Sequence, residues 1–342
     1  AYKTLLEEFT ARRGLALYYP YLASGLGSGA LVELLDGSCK YDLISGIGVH
    51  YFGHSHPGVI EAAFDAALSD TVMQGNLQQN KDSLLLAKLY TSHSGYDHCF
   101  LSSSGAMACE NALKICFQKK HPACRILTFE RCFAGRTLAL SHITDKPGFR
   151  EGLPTTLQVD YVPFFDAKNP KESTEKTLQA LKSHVKRYPK QHAVMCMELV
   201  QGEGGFWTAP PEFFKTCINL LKANNIAIWA DEVQTFARTQ NLFAFQTLGL
   251  DGLVDIVTIG KVAHACATLF SHEYLPRPGL LSQTFTASTS AIKVSRYMLE
   301  HAIANNFFGP SGKIATLYKA FTEGIELLHK KYGCLHGPYG MG

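Results

Sequence analysis

The chain has 342 residues, more than one ordinary domain holds at ~150 residues per domain. Its 32 basic and 29 acidic side chains leave a net charge of +3, which gives no electrostatic case for nucleic acid or an anionic membrane surface. Charged residues make up 18%, below the ~25% of soluble domains, while the 46% hydrophobic share is ordinary. That balance fits a large interior, or a surface partly covered by a partner. With 29 Gly and 14 Pro, neither in excess, a collagen-like or low-complexity chain is excluded.

Short apolar runs alternate with helix-like segments along most of the chain. In chain order, the predicted elements begin with a hairpin: 30–43 reads as strand, Asp36-Gly37 turn, strand. Strands are predicted at 97–101, 125–129, 157–162, 193–199, 226–230, 255–259 and 265–270, with amphipathic helices at 106–119, 172–188, 211–223 and 290–304 between or after them. Buried strands separated by helices imply crossover connections and a mainly parallel sheet. The predicted fold class is therefore α/β: a mainly parallel seven-stranded sheet flanked by helices, with a small α+β lobe from the chain ends. Residues 1–44 are read as the N-terminal part of that lobe, 45–305 as the large domain, and 306–342 as the start of its C-terminal part, with a last helix ending at Gly333.

Ten cysteines are scattered without C-x-x-C spacing or a His/Cys cluster of zinc type, so reduced core thiols are expected and no metal site is. No apolar run reaches the ~20 residues needed to span a bilayer. The first eight residues lack the apolar core of a signal peptide, so a cytoplasmic protein is expected. The sequence starts at Ala1 rather than Met, and its true start is expected to lie outside it.

In an open parallel sheet, ligands bind beyond the carboxyl ends of the strands. After 97–101 comes Ser102-Ser103-Ser104-Gly105-Ala106, then a helix: a phosphate cradle on free N–H groups, or an ordinary Ser cap. After 125–129 comes Glu130-Arg131-Cys132-Phe133-Ala134-Gly135-Arg136-Thr137, whose plainer reading is a loop with a core Phe. After 193–198 comes Leu199-Val200-Gln201-Gly202-Glu203-Gly204-Gly205, a site or a Gly-rich turn. After 226–230 comes Asp231-Glu232-Val233-Gln234-Thr235, where the plainer reading has Asp231 capping a helix and Glu232 in solvent. After 255–259 comes Gly260-Lys261, either an exposed Lys or a desolvated nucleophile. Singly these are weak. Together, a hydroxyl/Gly cradle, an aromatic, a strand-end Asp and a strand-end Lys 30 residues later describe a site for pyridoxal 5'-phosphate (PLP). That cofactor needs a Lys for its carbonyl, an acid for its pyridine nitrogen and an anion cradle for its phosphate.

At these residues the chain resembles the class III aminotransferases of PLP fold type I, the ornithine, acetylornithine, 4-aminobutyrate and lysine types, over about 34–342. The carrying motifs are Ser45-Gly46-Ile47-Gly48-Val49-His50-Tyr51-Phe52-Gly53-His54-Ser55-His56-Pro57, Ser104-Gly105-Ala106 with Glu110-Asn111-Ala112-Leu113-Lys114, Phe133-Ala134-Gly135-Arg136-Thr137, 198–205, Asp231-Glu232-Val233-Gln234-Thr235 and Gly260-Lys261. The resemblance implies a Schiff-base and proton-transfer role for Lys261, and pairing of Asp231 with the pyridinium. It places Gln234 near the ring hydroxyl and Phe133 on a ring face, with Ser104, Gly105 and Ala106 on the phosphate. Thr284 is implied to reach the phosphate of a neighbouring subunit, so a homodimer with shared active sites is expected. Glu203 and Tyr51 are the candidate substrate residues, Glu203 matching a Glu that pairs with a C-terminal Arg.

The implied reaction is transamination of an ω-amino or basic amino acid with 2-oxoglutarate as acceptor. The alternatives are an aminomutase or decarboxylase of the same fold, or a shortened PLP-binding protein with little activity. The chain departs from the family at Met107, at Leu199, at Phe236-Ala237-Arg238-Thr239-Gln240, which is one residue shorter, and at Phe285-Thr286-Ala287-Ser288-Thr289. It also stops where the family's C-terminal lobe begins, so the Arg that binds substrate carboxylate is expected outside this sequence.

Overall fold

The computed structural model describes residues 2–69, 77–335 and 337–342. A helix, α1 (Tyr2–Arg13), leads into a three-stranded antiparallel sheet of β1 (Ala23–Ser28), β2 (Leu31–Leu34) and β3 (Cys39–Tyr41). The β2–β3 turn is the predicted Asp36-Gly37 hairpin, with Gly37 at φ +82°, where a side chain is disfavoured. Helices α2 (Pro57–Ala67) and α3 (Lys81–Ser94) follow, and neither they nor α1 and β1 are among the predicted elements. Asn80 and Ser83 cap α3 reciprocally, and Gly95 ends it in the left-handed conformation.

The centre is a seven-stranded sheet. In chain order it contains β4 (His98–Ser102), β5 (Arg125–Phe129), β6 (Gln158–Val162) and β7 (His192–Met197). Two short strands, β8 (Val200–Gln201) and β9 (Trp207–Thr208), pair apart from it, and β10 (Ala227–Glu232), β11 (Ile256–Ile259) and β12 (Cys266–Phe270) complete it. The order across the sheet is β4-β12-β11-β10-β7-β5-β6. All neighbours are parallel except β12, which runs antiparallel to both β11 and β4. The crossovers are made by α4 (Gly105–Lys120), α5 (Pro170–Arg187) and α6 (Pro211–Ala223), and α7 (Thr289–Ala304) and α8 (Lys313–Tyr332) close the chain. This is the α/β architecture expected from the sequence.

The central strands are buried on both faces, and their alternation feeds two cores. Met195, Met197, Ile228, Ala230, Val257 and Ile259 pack into one, with Phe213, Phe214 and Leu221 of α6. Val194, Cys196, Ala227, Trp229 and Ile256 pack into the other, with Cys109, Ala112, Ile115 and Cys116 of α4. All ten cysteines are free. Six are buried as expected of core thiols, whereas Cys39, Cys124 and Cys334 are exposed. Among the described residues no helix is long and apolar enough to cross a membrane.

Candidate active site

The two acids of Asp231-Glu232 lie inside β10, not after it. The ladder with β11 continues through Asp231 opposite Thr258 and Glu232 opposite Ile259. Adjacent strand residues face opposite layers, so Asp231 follows Ala227 and Trp229 toward α4 while Glu232 follows Ile228 and Ala230 to the other core. The solvated Glu232 of the sequence reading is therefore corrected. Its side chain is fully buried, and it accepts the N–H groups of Ala244 (2.7 Å) and Phe245 (2.9 Å) and the Thr235 hydroxyl (3.0 Å). It fixes the segment after the strand and takes no part in the site. Asp231 caps no helix either.

Asp231 is 6% exposed. Its Oδ1 accepts the Val233 N–H at 3.0 Å and the Thr258 hydroxyl at 3.3 Å, and its Oδ2 accepts the Cys109 thiol at 3.4 Å. The Thr258 oxygen in turn accepts the Trp229 indole N–H at 3.0 Å. All the bonded partners are uncharged. Burial pushes the carboxyl up to about 6, against the pull of these donors and of the Lys261 charge.

Lys261 opens a single 3-10 turn, Lys261–Ala263, one residue beyond Gly260 and the end of β11. Its φ of +49° is left-handed, a conformation that costs about 1–3 kcal/mol in a non-glycine residue and gathers at functional sites. A Cβ on Gly260 would sit 3.3 Å from Gly105 Cα and 3.0 Å from Val233 Cγ1, and one on Gly105 would sit 2.8 Å from the same Val233 carbon. Neither position has room for a side chain. The end of β11, the start of α4 and the turn after β10 thus meet at Val233, which brings Lys261, Asp231 and Gly105 into one place.

Ser104 is the N-cap of α4, its Oγ accepting the Met107 N–H at 3.2 Å. The first-turn N–H groups, on Gly105 and Ala106, have no partner within the helix, and they and the helix dipole favour an anion. The capping and phosphate readings are compatible, because the cap uses Met107 and leaves the first two N–H groups free.

Two more loops complete the cluster. The Phe133 N–H donates to Glu198 Oε2 at 2.8 Å, and the Gly202 N–H donates to Glu198 Oε1 at 3.2 Å. A methyl on Gly202 would land on the Gln234 carboxamide oxygen, so the 202 and 233–235 loops touch. Glu198 is 7% exposed, and burial, with the Asp231 charge adding, pushes it up to about 8. It is therefore protonated at neutral pH, whereas in the unfolded chain, at its ordinary 4.5, it is ionised. Folding then takes up a proton, so stability is full below pH 4.5 and falls as pH rises toward 8. Glu198→Gln removes that titration. In urea unfolding, wild-type stability relative to the variant is expected to drop by about 1 kcal/mol per pH unit between pH 5.5 and 7.5. A difference that stays flat across that window is the contrary result.

The remaining predicted residues are less closely joined. Glu203 is exposed in the turn between β8 and β9 and lies 3.5 Å from Lys146 Nζ. Thr284 is exposed in the loop after β12, and among the described residues no hydrogen bond links its side chain to Ser104, Gly105 or Ala106. The Tyr51 hydroxyl donates to the Ala237 carbonyl at 2.7 Å, and burial holds its proton on, opposed by the nearby Arg238 charge. Cys109, Thr258 and Glu198 are site-lining residues that the strand-end reading does not single out. The only sequence signal for Thr258 is its register opposite Asp231, and for Cys109 its place one turn into the helix after the cradle.

A strand-end lysine, a buried acid with uncharged partners and a free helix N-terminus are the parts of a PLP site on an aminotransferase-type fold. The residues present fit the cofactor: Asp231 is a buried carboxylate bonded only to neutral donors, ready for a cationic ring N–H, and the Gly105–Gly260 contact keeps the cradle clear of side chains. Residues 20–341 match the family model "Aminotransferase class-III", and the chain belongs to that PLP-dependent family. Acetylornithine aminotransferase of Methanocaldococcus jannaschii is 34% identical over 245 residues, covering 69% of this chain and 56% of that enzyme. Acetylornithine aminotransferase 1 of Bradyrhizobium diazoefficiens is 31% identical over 307 residues, covering 86% and 71%. The chain thus spans little more than half the length of the first of these relatives. Among solved structures, lysine aminotransferase from M. tuberculosis superposes with a TM-score of 0.89 at 20% identity, over 98% of this chain and 84% of that one. Ornithine aminotransferase from Toxoplasma gondii gives 0.82 at 23%, over 98% and 80%. At those identities the superpositions bear on the fold.

Proposed function

We propose that the chain transfers the amino group of an ω-amino or basic amino acid (ornithine, acetylornithine, lysine or 4-aminobutyrate class) to 2-oxoglutarate, with 45–305 as its cofactor domain. The observation that carries this reading is the meeting of Lys261, Asp231 and Gly105 around Val233 at the carboxyl end of the sheet. PLP, when bound, supplies the electron sink that stabilises charge at the substrate carbon. Lys261 would hold the cofactor, and its amine would move the proton at the substrate carbon. Asp231 would pair with the ring nitrogen and favour its cationic form. Ser104 with the N–H groups of Gly105 and Ala106 would bind the phosphate, Phe133 would cover a ring face, and Gln234 would bond the ring hydroxyl.

Glu203 and Tyr51 are proposed to contact substrate. The Glu203 carboxylate is paired with Lys146 across exposed surface, an interaction weak enough for a substrate group to displace. Thr284, exposed here, is proposed to complete the phosphate site of a second copy in a homodimer. Support comes from the side chains of Tyr41, Leu43, Ile44 and Ile47, which crowd exposed apolar surface into one short stretch.

A donor panel tests the substrate class. PLP-loaded protein mixed with ornithine, acetylornithine, lysine or 4-aminobutyrate, without acceptor, is expected to lose its visible cofactor absorbance with one of them and regain it on adding 2-oxoglutarate. Product formed from the donor alone, with the absorbance retained and no 2-oxo acid required, would instead favour an aminomutase or decarboxylase.

A further inference from the structure

Asp231 meets three donors, and the three are not alike. Val233 N–H and Thr258 O–H share Oδ1, and Thr258 is itself oriented by the Trp229 indole. Oδ2 has the Cys109 thiol, at 3.4 Å, as its bonded donor. Cys109 also lies 3.6 Å from Thr258 Oγ1, so it touches both members of the pair. Cys109 is 1% exposed on the inner face of α4, Thr258 and Trp229 fully buried. The sulfur keeps its proton, since burial and the neighbouring Asp231 charge both oppose a thiolate. Toward the carboxylate it can therefore act only as a donor, with the more distant Thr258 oxygen as the other acceptor in reach.

We propose that Cys109 is a positioning residue for Asp231: its thiol holds Oδ2 in place and in ionised form, so that the carboxylate is presented to a cationic ring nitrogen. A hydrogen bond to an ionised group stabilises that ionised form. A thiol is a weak donor. It supports Oδ2 without competing strongly for the electron density that the ring proton needs. A hydroxyl in the same place would support it more firmly, and a methyl would leave the oxygen unsupported in an apolar layer. α4 thereby serves the site at both ends of its first turns, with N–H groups at Gly105 and Ala106 and a thiol at Cys109. This inference rests on the assignment of Asp231 to the ring nitrogen, and the experiment separates the two.

Infrared spectroscopy of the PLP-loaded protein reads the thiol directly. The S–H band lost in Cys109→Ala is expected at lower frequency than the bands of Cys116 and Cys217, which lie in apolar surroundings, and it should move up in Asp231→Asn. Nuclear magnetic resonance with PLP labelled at the ring nitrogen reads the other end. Cys109→Ala should move that resonance toward the unprotonated position and slow turnover about threefold, the loss of one modest hydrogen bond, while Cys109→Ser restores both. An S–H band at the frequency of the apolar thiols, or a ring resonance identical in wild type and Cys109→Ala, overturns the proposal. A low-frequency S–H band together with an unprotonated ring nitrogen in wild type would leave the thiol–carboxylate contact standing and reject the Asp231 assignment instead.

Discussion

Lys261→Ala is expected to abolish covalent retention of the cofactor and to cut transamination by about 10³–10⁴-fold, or roughly 4–5 kcal/mol of barrier. Borohydride treatment of the PLP-loaded wild type should leave the cofactor on the tryptic peptide that carries Lys261, and none should be found there in the variant. The size of the loss follows from two functions residing in one amine, holding the cofactor's carbonyl carbon and carrying the proton at the substrate carbon. The fold should survive. Lys261 begins a 3-10 turn at φ +49°, a strain that any L-residue bears there alike, so the substitution neither adds nor relieves it. The close packing at this point is made by Gly260, Gly105 and Val233. Thermal unfolding of the cofactor-free forms should therefore differ only by the small loss of the Lys261 charge beside Asp231. A reducible covalent adduct persisting in Lys261→Ala would place the nucleophile elsewhere and remove the basis of the functional reading.

How far the sequence displays this site depends on the range of the contacts involved. Lys261, Asp231 and Gly105 each sit at the end of an apolar run, and the rule that ligands gather at strand ends in an open α/β sheet needs no knowledge of which strands are neighbours. The cores are legible for a similar reason, since 193–197 and 227–230 are apolar on both faces and must be covered on both. The strand end at Glu232 is not legible, because two consecutive acids read as a loop. Only the fold shows that they point into different layers, one toward α4 and one toward the Ala244–Phe245 N–H groups. Cys109 is hidden more deeply. In sequence it is one core thiol among several, and its distinction is a bond spanning 122 residues to Asp231. The starts of α2 and α3 are marked locally by Pro57 and by the Asn80 cap, and α2 has an apolar face as marked as that of the predicted helix 290–304, so α2 is legible in the sequence although it is not among the predicted elements. Nothing local marks Thr284, whose proposed partner lies on another copy of the chain, and Glu203 shows only as an acid in a Gly-rich segment after a strand.

Asp231→Asn is expected to move stability and activity in opposite directions. In the cofactor-free protein the ionised carboxylate is buried among neutral donors, and its rise from 3.8 to about 6 is equivalent to about 3 kcal/mol of penalty once it is ionised. A group raised in this way contributes stability at low pH that is lost as pH climbs through 6. Asn carries no charge to bury. Its carbonyl can accept the Val233 N–H and the Thr258 hydroxyl as Oδ1 does, with its NH₂ facing the Cys109 sulfur. The cofactor-free variant should thus be at least as stable as wild type at pH 8, by up to about 3 kcal/mol, and the gain should vanish below pH 4. With PLP bound the balance reverses. The same carboxylate then faces a cationic ring nitrogen, and removing one partner of a buried pair costs about 3–5 kcal/mol. The donor half-reaction should slow by about 10²–10³-fold and PLP should be held less tightly. Urea unfolding of the cofactor-free forms at pH 4 and 8, beside the rate of cofactor bleaching by the best donor, measures both arms. A variant that loses activity together with cofactor-free stability would make Asp231 a structural acid like Glu232. One that turns over at the wild-type rate would show that the ring nitrogen does not depend on it. Only the crossed result, firmer when empty and slower when loaded, is what a carboxylate kept at a folding cost for the sake of a cation requires.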